Sequence, residues 1–210
     1  MKTDSKNKHH PYHHGNLRRV LIDTAVEIIS EQGTKDLSLR KIAKRAGVSH
    51  AAPYRHFKDK NAILASVASE GFDMMLRKTE ERITRSQGNE LDHFAISGLS
   101  YIDFALNFPS HYRVMFGTRV ENSYFSDDLK PESLPVFKLL RDIIMACQEK
   151  GLLKEGDPQE MALAAWSIVH GFAMLRIDHH IPAQGKMDEK KLRELQRTVV
   201  LTLYSGLRSE

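Results

Sequence analysis

The chain has 210 residues, 41% of them hydrophobic and 28% charged, which is the balance of an ordinary globular protein with a buried core. It has no run of about 18 apolar residues, which excludes a membrane-spanning helix, and its polar N-terminus lacks the apolar stretch of a secretory signal. Cys147 is the single cysteine, which excludes an internal disulfide and is typical of a reducing compartment, so we expect a cytoplasmic protein.

The charge is unevenly distributed along the chain. Residues 1–60 carry 13 Lys or Arg against 6 Asp or Glu, whereas residues 61–210 carry 18 against 21. A basic N-terminal part on a mildly acidic remainder indicates that the N-terminal part meets a polyanion. A solvated basic face would give the same charge pattern, so a motif must decide between the two.

The first 15 residues are polar and aperiodic and predict a flexible arm. Its HHPYHH run, which begins at His9, leaves three interpretations open: a disordered tail, an arm that enters the minor groove of DNA, or a transition-metal ligand set. Pro11 and the flexibility of the arm prevent a preorganised ligand set, so we expect no metal and no cofactor.

Helical periodicity begins after the arm. The pattern predicts a first helix over residues 17–33, a second between the N-cap Ser38 and Gly47, and a third that begins at Ser49. Asp59 is the predicted N-cap of a long fourth helix.

Further helices are predicted over residues 91–108, 134–150, 157–181 and 187–207, with a less regular aromatic stretch from residue 111 to 131. No segment has the period of a strand. The sequence therefore predicts an all-α chain of about nine helices. We divide it into an arm (1–15), a DNA-binding domain (16–62) and a helical regulatory and dimerisation domain (63–210).

Residues 38–57, SLRKIAKRAGVSHAAPYRHF, have the spacing of a helix-turn-helix. Ala43 is small where two helices cross, and Gly47 lies where the chain must turn. Ile42 and Val48 supply the apolar contacts that fix the crossing. A plain helical hairpin would share the glycine-linked helix pair but not the lysines and arginines gathered around it, which favour DNA binding.

The run from Leu17 to Leu64 resembles the DNA-binding domain of the TetR family of bacterial regulators, whose pattern is similar to T/S-x-R-x-I-A-x-x-A-G-V-S-x-x-x-x-Y-x-H-F-x-x-K-x-x-L. The matching residues are Ser38, Arg40, Ile42, Ala43, Ala46, Gly47, Val48, Ser49, Tyr54, His56, Phe57, Lys60, Ile63 and Leu64. The resemblance covers about a quarter of the chain and implies a three-helix DNA-binding domain followed by a helical body.

The resemblance also implies roles for residues of the short recognition helix, whose N-terminal side chains face base edges in the major groove. Arg55 would contact a guanine or a phosphate, and Tyr54 and His56 would bind phosphates. The full implied DNA-contact set is Arg40, Lys41, Ser49, His50, Ala51, Ala52, Tyr54, Arg55, His56 and Lys60.

Pro53 departs from the family pattern, which more often has an apolar residue with an amide hydrogen at that position. If Ser49 is the N-cap, Pro53 is the fourth helical residue and one hydrogen bond is lost. If the helix starts at His50, Pro53 lies in the tolerated first turn, and we prefer this second interpretation.

The helices predicted over 157–181 and 187–207 are apolar on more faces than one subunit needs. We therefore expect a homodimer through these two helices, a four-helix bundle like that of TetR relatives, although burial within one subunit is an alternative. A two-fold dimer places two recognition helices about 34–36 Å apart on one duplex face, so the operator should be a palindrome.

Aromatic, sulfur-containing and polar side chains of the body are candidates to line a cavity for a small hydrophobic effector, as the TetR fold commonly does, or to be plain core. They are Phe104, Phe108, Tyr112, Met115, Phe116, Phe137, Cys147, Trp166 and His170. We expect His170 to be a hydrogen-bonded structural histidine. Trp166, His170 and Gly171 also resemble the Trp-His-Gly signature of one TetR subgroup, and residues 12–17 resemble its lead-in.

We therefore expect a bacterial regulator that is not an enzyme, a repressor released from a palindromic operator by its effector. One alternative is a dimeric DNA-binding regulator that responds to no effector. Another is a helical metal-dependent enzyme, but the histidines outside the arm lack the i, i+4 spacing of metal ligands. No nucleophile motif and no phosphate-binding glycine loop occurs either.

Overall fold

A computed structural model describes residues 17–117, 134–181 and 189–208. Over these ranges the chain forms eight α-helices and one short 3-10 helix without a β-strand, which confirms the predicted all-α fold. The α-helices are α1 (Leu17–Gln32), α2 (Leu39–Ala46), α3 (Lys60–Arg85), α4 (Glu90–Asn107), α5 (Pro109–Phe116), α6 (Pro135–Glu149), α7 (Pro158–Ile177) and α8 (Glu189–Leu207). No described helix is long and apolar enough to cross a membrane.

The chain divides into two compact units, Met1–Ile63 and Leu64–Glu210. We call the described part of the first unit the head and that of the second the body. In the head, the Ser38 hydroxyl accepts a hydrogen bond from the Lys41 N–H at 3.2 Å and so caps α2. Gly47 ends α2 with a φ of 69°, in the left-handed region that favours glycine. Both helix ends lie where the sequence predicts them.

The third element of the head is shorter than the helix predicted from Ser49. The Ala52 N–H donates to the Ser49 carbonyl at 3.0 Å, and the 3-10 helix covers only Pro53–Arg55. Pro53 occupies the first position of this helix, where its missing N–H costs no hydrogen bond. Pro53 therefore lies in the first turn, as the preferred interpretation expects, but the helix begins at Pro53 and not at His50.

Helix α5 lies where the sequence pattern indicated an irregular stretch. Pro109 occupies its first position, and the Tyr112 N–H donates to the Phe108 carbonyl at 3.0 Å. Eight residues are too few for a helical period to stand out from a run of aromatic side chains. This helix buries Tyr112 completely and ends at Phe116, which lies beside the cavity described below.

The core of the body forms around α4, which packs against α5, α6, α7 and α8. Its buried cluster consists of Phe94, Phe137, Ile143, Ile144, Cys147, Leu153, Met161, Ala162, Ala165, Leu203 and Leu207. The helices around α4 also enclose the space that forms the second candidate site.

Candidate nucleic-acid interface and ligand cavity

The ten residues predicted to contact DNA lie on α2, on the segment between α2 and α3, and at the first residue of α3. Seven of them are exposed: Arg40, Ser49, His50, Ala51, Tyr54, Arg55 and His56. Lys41, Ala52 and Lys60 are half-buried. Most of the predicted contact set is therefore accessible to a partner from solvent.

The 3-10 helix holds its exposed side chains on a buried base. Pro53 is buried, and Phe57, which is 3% exposed, donates its N–H to the Pro53 carbonyl at 2.9 Å. The Arg18 guanidinium lies over the Phe57 ring, 5.3 Å from its centroid, in a cation–π contact. Tyr54, in contrast, is 54% exposed. A phenol, a guanidinium and an imidazole, at Tyr54, Arg55 and His56, thus reach solvent from an anchored element, and all three can bind phosphates or base edges.

Two lysines of the predicted set are tethered at the head surface. The Lys60 ammonium donates to the Lys35 carbonyl at 3.0 Å, and the Lys41 ammonium donates to the Gln32 side-chain oxygen. An ammonium has three donors, so each of these lysines keeps hydrogens for a phosphate. The tethers restrict where those hydrogens lie.

Arg45 is basic and close in sequence to this set, but it is committed to an acidic partner. Its two terminal nitrogens donate to the two carboxylate oxygens of Glu31, both at 2.7 Å. This bidentate bond lowers the pKa of the Glu31 carboxyl and raises the pKa of the Arg45 guanidinium. Arg45 therefore adds less positive potential to the head than a lone arginine would.

The body contains a narrow apolar cavity that opens to solvent, with about 610 Å³ of empty space when the open solvent is included. The described residues that line it are Thr79, Phe94, Ser97, Gly98, Tyr101, Phe116, Leu134, Val136, Phe137, Leu139, Leu140, Ala165, Trp166, Val169, Val200 and Leu203. None of these residues carries a charge. The side chains among them that can hydrogen-bond are those of Thr79, Ser97, Tyr101 and Trp166.

Of the nine residues predicted to line an effector site, Phe116, Phe137 and Trp166 line the cavity. Tyr112 and His170 are hydrogen-bonded to the lining residue Tyr101 but are not themselves part of the described lining. The other four, which do not belong to it either, are Phe104, Phe108, Met115 and Cys147. Burial raises the pKa of the Cys147 thiol to about 11, which keeps it protonated near neutral pH.

Four polar side chains meet at the wall of the cavity, and we call them the wall network: Tyr101, Tyr112, Trp166 and His170. The Trp166 indole N–H donates to the Tyr101 hydroxyl at 2.8 Å, and the two tyrosine hydroxyls are 3.0 Å apart. His170 Nδ1 lies 2.7 Å from the Tyr112 hydroxyl and 2.9 Å from that of Tyr101. His170 is thus hydrogen-bonded, as predicted.

Burial determines the charge state of this network. It lowers the pKa of His170 and raises the pKa of both tyrosines, because each charged form would lose its hydration without gaining a counter-charge. The network is therefore neutral at physiological pH. It joins α4, α5 and α7 by hydrogen bonds.

The surface of α7 carries apolar side chains that are not covered within the chain. Leu163, Ile168 and Leu175 are 48%, 44% and 46% exposed, and on α8 Leu201 is 61% exposed. Together with Ala164, Ser167 and Gly171, the three α7 side chains occupy one face of the helix. The apolar residues of 157–181 that suggested an interface, such as Ala162, Val169 and Phe172, are buried inside the body instead.

Models of known protein families match both units. Residues 21–67 match the bacterial regulatory proteins of the tetR family, and residues 95–199, half of the chain, match the tetracyclin repressor-like C-terminal domain. The chain belongs to the TetR family. It is a helix-turn-helix transcription regulator, as its sequence pattern predicts.

Relatives of this TetR-family regulator cover nearly its whole length. The uncharacterised HTH-type transcriptional regulator YobS of Bacillus subtilis is 27% identical over 200 residues, which are 92% of this chain and 93% of YobS. A Rhodococcus sp. RHA1 structure of unknown function is 31% identical, with 96% and 100% of the two chains covered and a TM-score of 0.78. FadR of Bacillus subtilis in complex with stearoyl-CoA shares the fold at 23% identity, with 91% and 100% covered and a TM-score of 0.73.

Sequence reasoning missed the part of the TetR-family cavity that α4 supplies. Phe94, Ser97, Gly98 and Tyr101 line it from one face of α4, at the i, i+3, i+4, i+7 spacing of a helical stripe. That spacing was readable in the sequence. Serine and glycine, however, do not look like cavity residues until the helices around them are known.

Within the described ranges no three His, Cys, Asp or Glu side chains form a metal-binding group, and the histidine-rich arm lies outside those ranges.

Proposed function

We propose that this regulator is a cytoplasmic homodimer that represses transcription at a palindromic operator and is released by a small hydrophobic effector bound in the body. The exposed Tyr54 and Arg55 of the 3-10 helix, whose Pro53 is buried, and the exposed His56 that follows it carry the DNA-binding part of the proposal. We also assign the chain to the Trp-His-Gly subgroup, because Trp166 and His170 of that signature both belong to the wall network.

The exposure of Tyr54, Arg55 and His56 supports the proposed operator contact. Side chains from 49 to 56 enter the major groove, where Arg55 reads a base or binds a phosphate. Tyr54 and His56 bind phosphates, as do the remaining basic residues of the predicted set, Arg40, Lys41 and Lys60. The domain division at residues 62 and 63 is part of this proposal.

The exposed apolar face of α7 supports the dimer. Exposed leucine and isoleucine side chains at helical spacing lose little solvation and gain packing when a second copy covers them. Gly171 on α7 and Gly206 on α8 have no atom within 4 Å of an added Cβ, so a second helix can approach closely there. Pairing of α7 and α8 from two copies gives the four-helix interface.

The effector part rests on the uncharged cavity of the body. The apolar lining fits a hydrophobic molecule, and the FadR of the same fold was determined with stearoyl-CoA. Helix α3 begins at Lys60 in the first unit and continues into the second, so a change in the body can reorient it. Operator and effector would then weaken each other's binding by the same factor.

Operator binding is tested with Arg55→Ala and Tyr54→Ala, measured by fluorescence anisotropy on a duplex from the protein's own upstream promoter. We expect each variant to lose about 10-fold or more in affinity, since one lost contact costs about 1–3 kcal/mol. Arg141→Ala, which removes the same charge from the body, is the matched control and should bind normally. Equal losses in Arg55→Ala and Arg141→Ala would contradict the assignment of the interface to the 3-10 helix.

The dimer is tested with Ile168→Glu on α7 by size-exclusion chromatography with light scattering. Met145 on α6 is 43% exposed, nearly the same as the 44% of Ile168, so Met145→Glu is a matched control for the added charge. We expect a monomer for Ile168→Glu and a dimer for Met145→Glu. A wild-type monomer, or two dimeric variants, would disprove this interface.

A further inference from the structure

The wall network has four polar contacts but fewer hydrogens than contacts. With Nδ1 of His170 unprotonated, the hydrogens available are those of the Trp166 indole and of the two tyrosine hydroxyls. One arrangement pairs all three: Trp166 donates to Tyr101, Tyr101 donates to Tyr112, and Tyr112 donates to His170 Nδ1 over the shortest distance, 2.7 Å. A hydrogen on Nδ1 would leave one of the two tyrosine hydroxyls without an acceptor in the network. The Trp166 and tyrosine donors are therefore all used inside the network. The hydrogen of neutral His170 is on Nε2, which makes none of these contacts, and His170 is not part of the described lining.

The other two polar side chains in the described cavity lining are also committed. The Thr79 hydroxyl donates to the Met75 carbonyl at 2.9 Å, and the Ser97 hydroxyl donates to the Phe94 carbonyl at 2.7 Å. Each bond lies within a single helix, at a spacing of four and three residues. All four polar side chains of the described lining thus direct their hydrogens to protein acceptors. A carbonyl group placed inside this part of the cavity would find no donor.

From this pattern, and given the effector site proposed above, we infer that the cavity selects the hydrocarbon part of its ligand. The part of the effector inside the described lining carries neither a charge nor a hydrogen-bonding group, and any polar group of the ligand lies at the opening. Tyr101 determines this selectivity, because its hydroxyl occupies the Trp166 N–H that would otherwise recognise a buried acceptor. A buried carbonyl without a hydrogen-bond donor costs binding free energy, so a ligand that must bury one binds more weakly.

Two isomeric ketones test whether the cavity disfavours a buried carbonyl, because they differ only in where the carbonyl lies. In 2-undecanone the carbonyl is near one end and can stay at the opening, whereas in 6-undecanone it is central and must be buried. Trp166 is the single tryptophan of the chain and lines the cavity, so its fluorescence reports binding without DNA. We expect wild type to bind 2-undecanone about 10-fold more tightly, from the cost of about 1–3 kcal/mol for a buried unsatisfied group.

Tyr101→Phe is the decisive variant. It frees the Trp166 N–H at the cavity wall, so 6-undecanone should bind more tightly than it does to wild type and the preference between the isomers should disappear or reverse. Tyr112→Phe is the matched control: it removes one tyrosine hydroxyl from the same network but leaves the Trp166 donor paired with Tyr101, so the preference for 2-undecanone should remain. In the double variant Tyr101→Phe/Trp166→Phe, read by calorimetry, the gain for 6-undecanone should be lost.

The outcomes distinguish this inference from the proposed function. Equal or tighter binding of 6-undecanone by wild type overturns the inference, as does a Tyr101→Phe variant that folds but gains nothing. If that variant does not fold, the isomer preference of wild type decides alone. Operator binding without any response of Trp166 to either ketone refutes the cavity selectivity and leaves DNA binding standing. Ketone binding with the expected preference but without operator binding refutes the proposed function instead.

Discussion

The head and the body differ in where their polar side chains lie and in whether these carry a charge. In the head, ion pairs such as Arg45 with Glu31 and Arg19 with Asp23 lie at the surface, where water hydrates all four groups. In the body, the tyrosines of the wall network are buried and bond only to neutral partners. Exposed charges contribute little to stability but remain available to a polyanion. Buried neutral groups cannot bind a polyanion, but the loss of any hydrogen bond between them leaves a buried polar group unpaired and lowers the stability of the fold.

The largest effect should follow from breaking the network in the body. Tyr112→Phe keeps the ring but removes the hydroxyl that accepts from Tyr101 and donates to His170. Because both partners lose a bond inside the protein, we expect a loss of about 1–3 kcal/mol in the free energy of unfolding. Urea denaturation followed by circular dichroism measures this loss, and operator affinity measured in the same buffer should not change. An unchanged midpoint would mean that the Tyr101 hydroxyl, 2.9 Å from His170 Nδ1, donates there instead and replaces the lost bonds.

In the head one sensitive position is in the backbone and not in a polar bond. Gly47 has a φ of 69°, and an added Cβ would meet no atom within 4 Å. Gly47→Ala therefore costs only the strain of a left-handed alanine, about 1–2 kcal/mol, reduced by the smaller entropy of its unfolded chain. Thermal unfolding measures the loss. Gly171→Ala, in the α7 helix and with equally open space around it, should not destabilise an isolated subunit.

Much of this division was predictable from the sequence. Ser38, Gly47 and Asp59 have local roles that depend on a few neighbouring backbone atoms, so capping and turn rules locate the helix ends correctly. The Pro53 element was harder, because a 3-10 helix of three residues has no period to detect. Its place in the head depends on burial of Pro53 against the rest of the unit.

The cavity was less predictable for a different reason. Large aromatic residues suggested its position, and Phe116, Phe137 and Trp166 do line it. Which further side chains face the same space depends on how α4 to α8 pack, and this is not encoded within any one helix. The bond between Tyr101 and His170 joins residues 69 positions apart, so no local rule could reveal it.

A smaller loss of stability, caused by His170, should appear only when the pH falls. Burial lowers the pKa of His170 from its ordinary value of 6.5. At a pH below 6.5, the His170 imidazole therefore binds a proton more readily in the unfolded chain than in the folded one. Stability contributed by neutral His170 is therefore present above pH 6.5 and is lost as the pH falls below it. His170→Asn, whose amide oxygen can replace Nδ1 as an acceptor, should lose less stability than wild type between pH 7.5 and 5.5. Calorimetric melting at both pH values measures the difference, and parallel losses would show that other histidines dominate.

The smallest change in stability, and the sharpest contrast with Tyr112→Phe, is expected for Glu31→Gln. The pair with Arg45 is exposed, so we expect no measurable shift in the melting temperature. DNA binding should respond instead, because the variant removes one negative charge from the head and releases the Arg45 guanidinium. If the freed guanidinium contacts one phosphate, the slope of log affinity against log salt should steepen by about 0.9. Asp23→Asn, which removes the carboxylate that pairs with Arg19 on α1, is the matched control for the lost negative charge. Equal steepening in both variants would show that net charge alone acts, and an unchanged slope for Glu31→Gln would mean that Arg45 lies outside the operator interface.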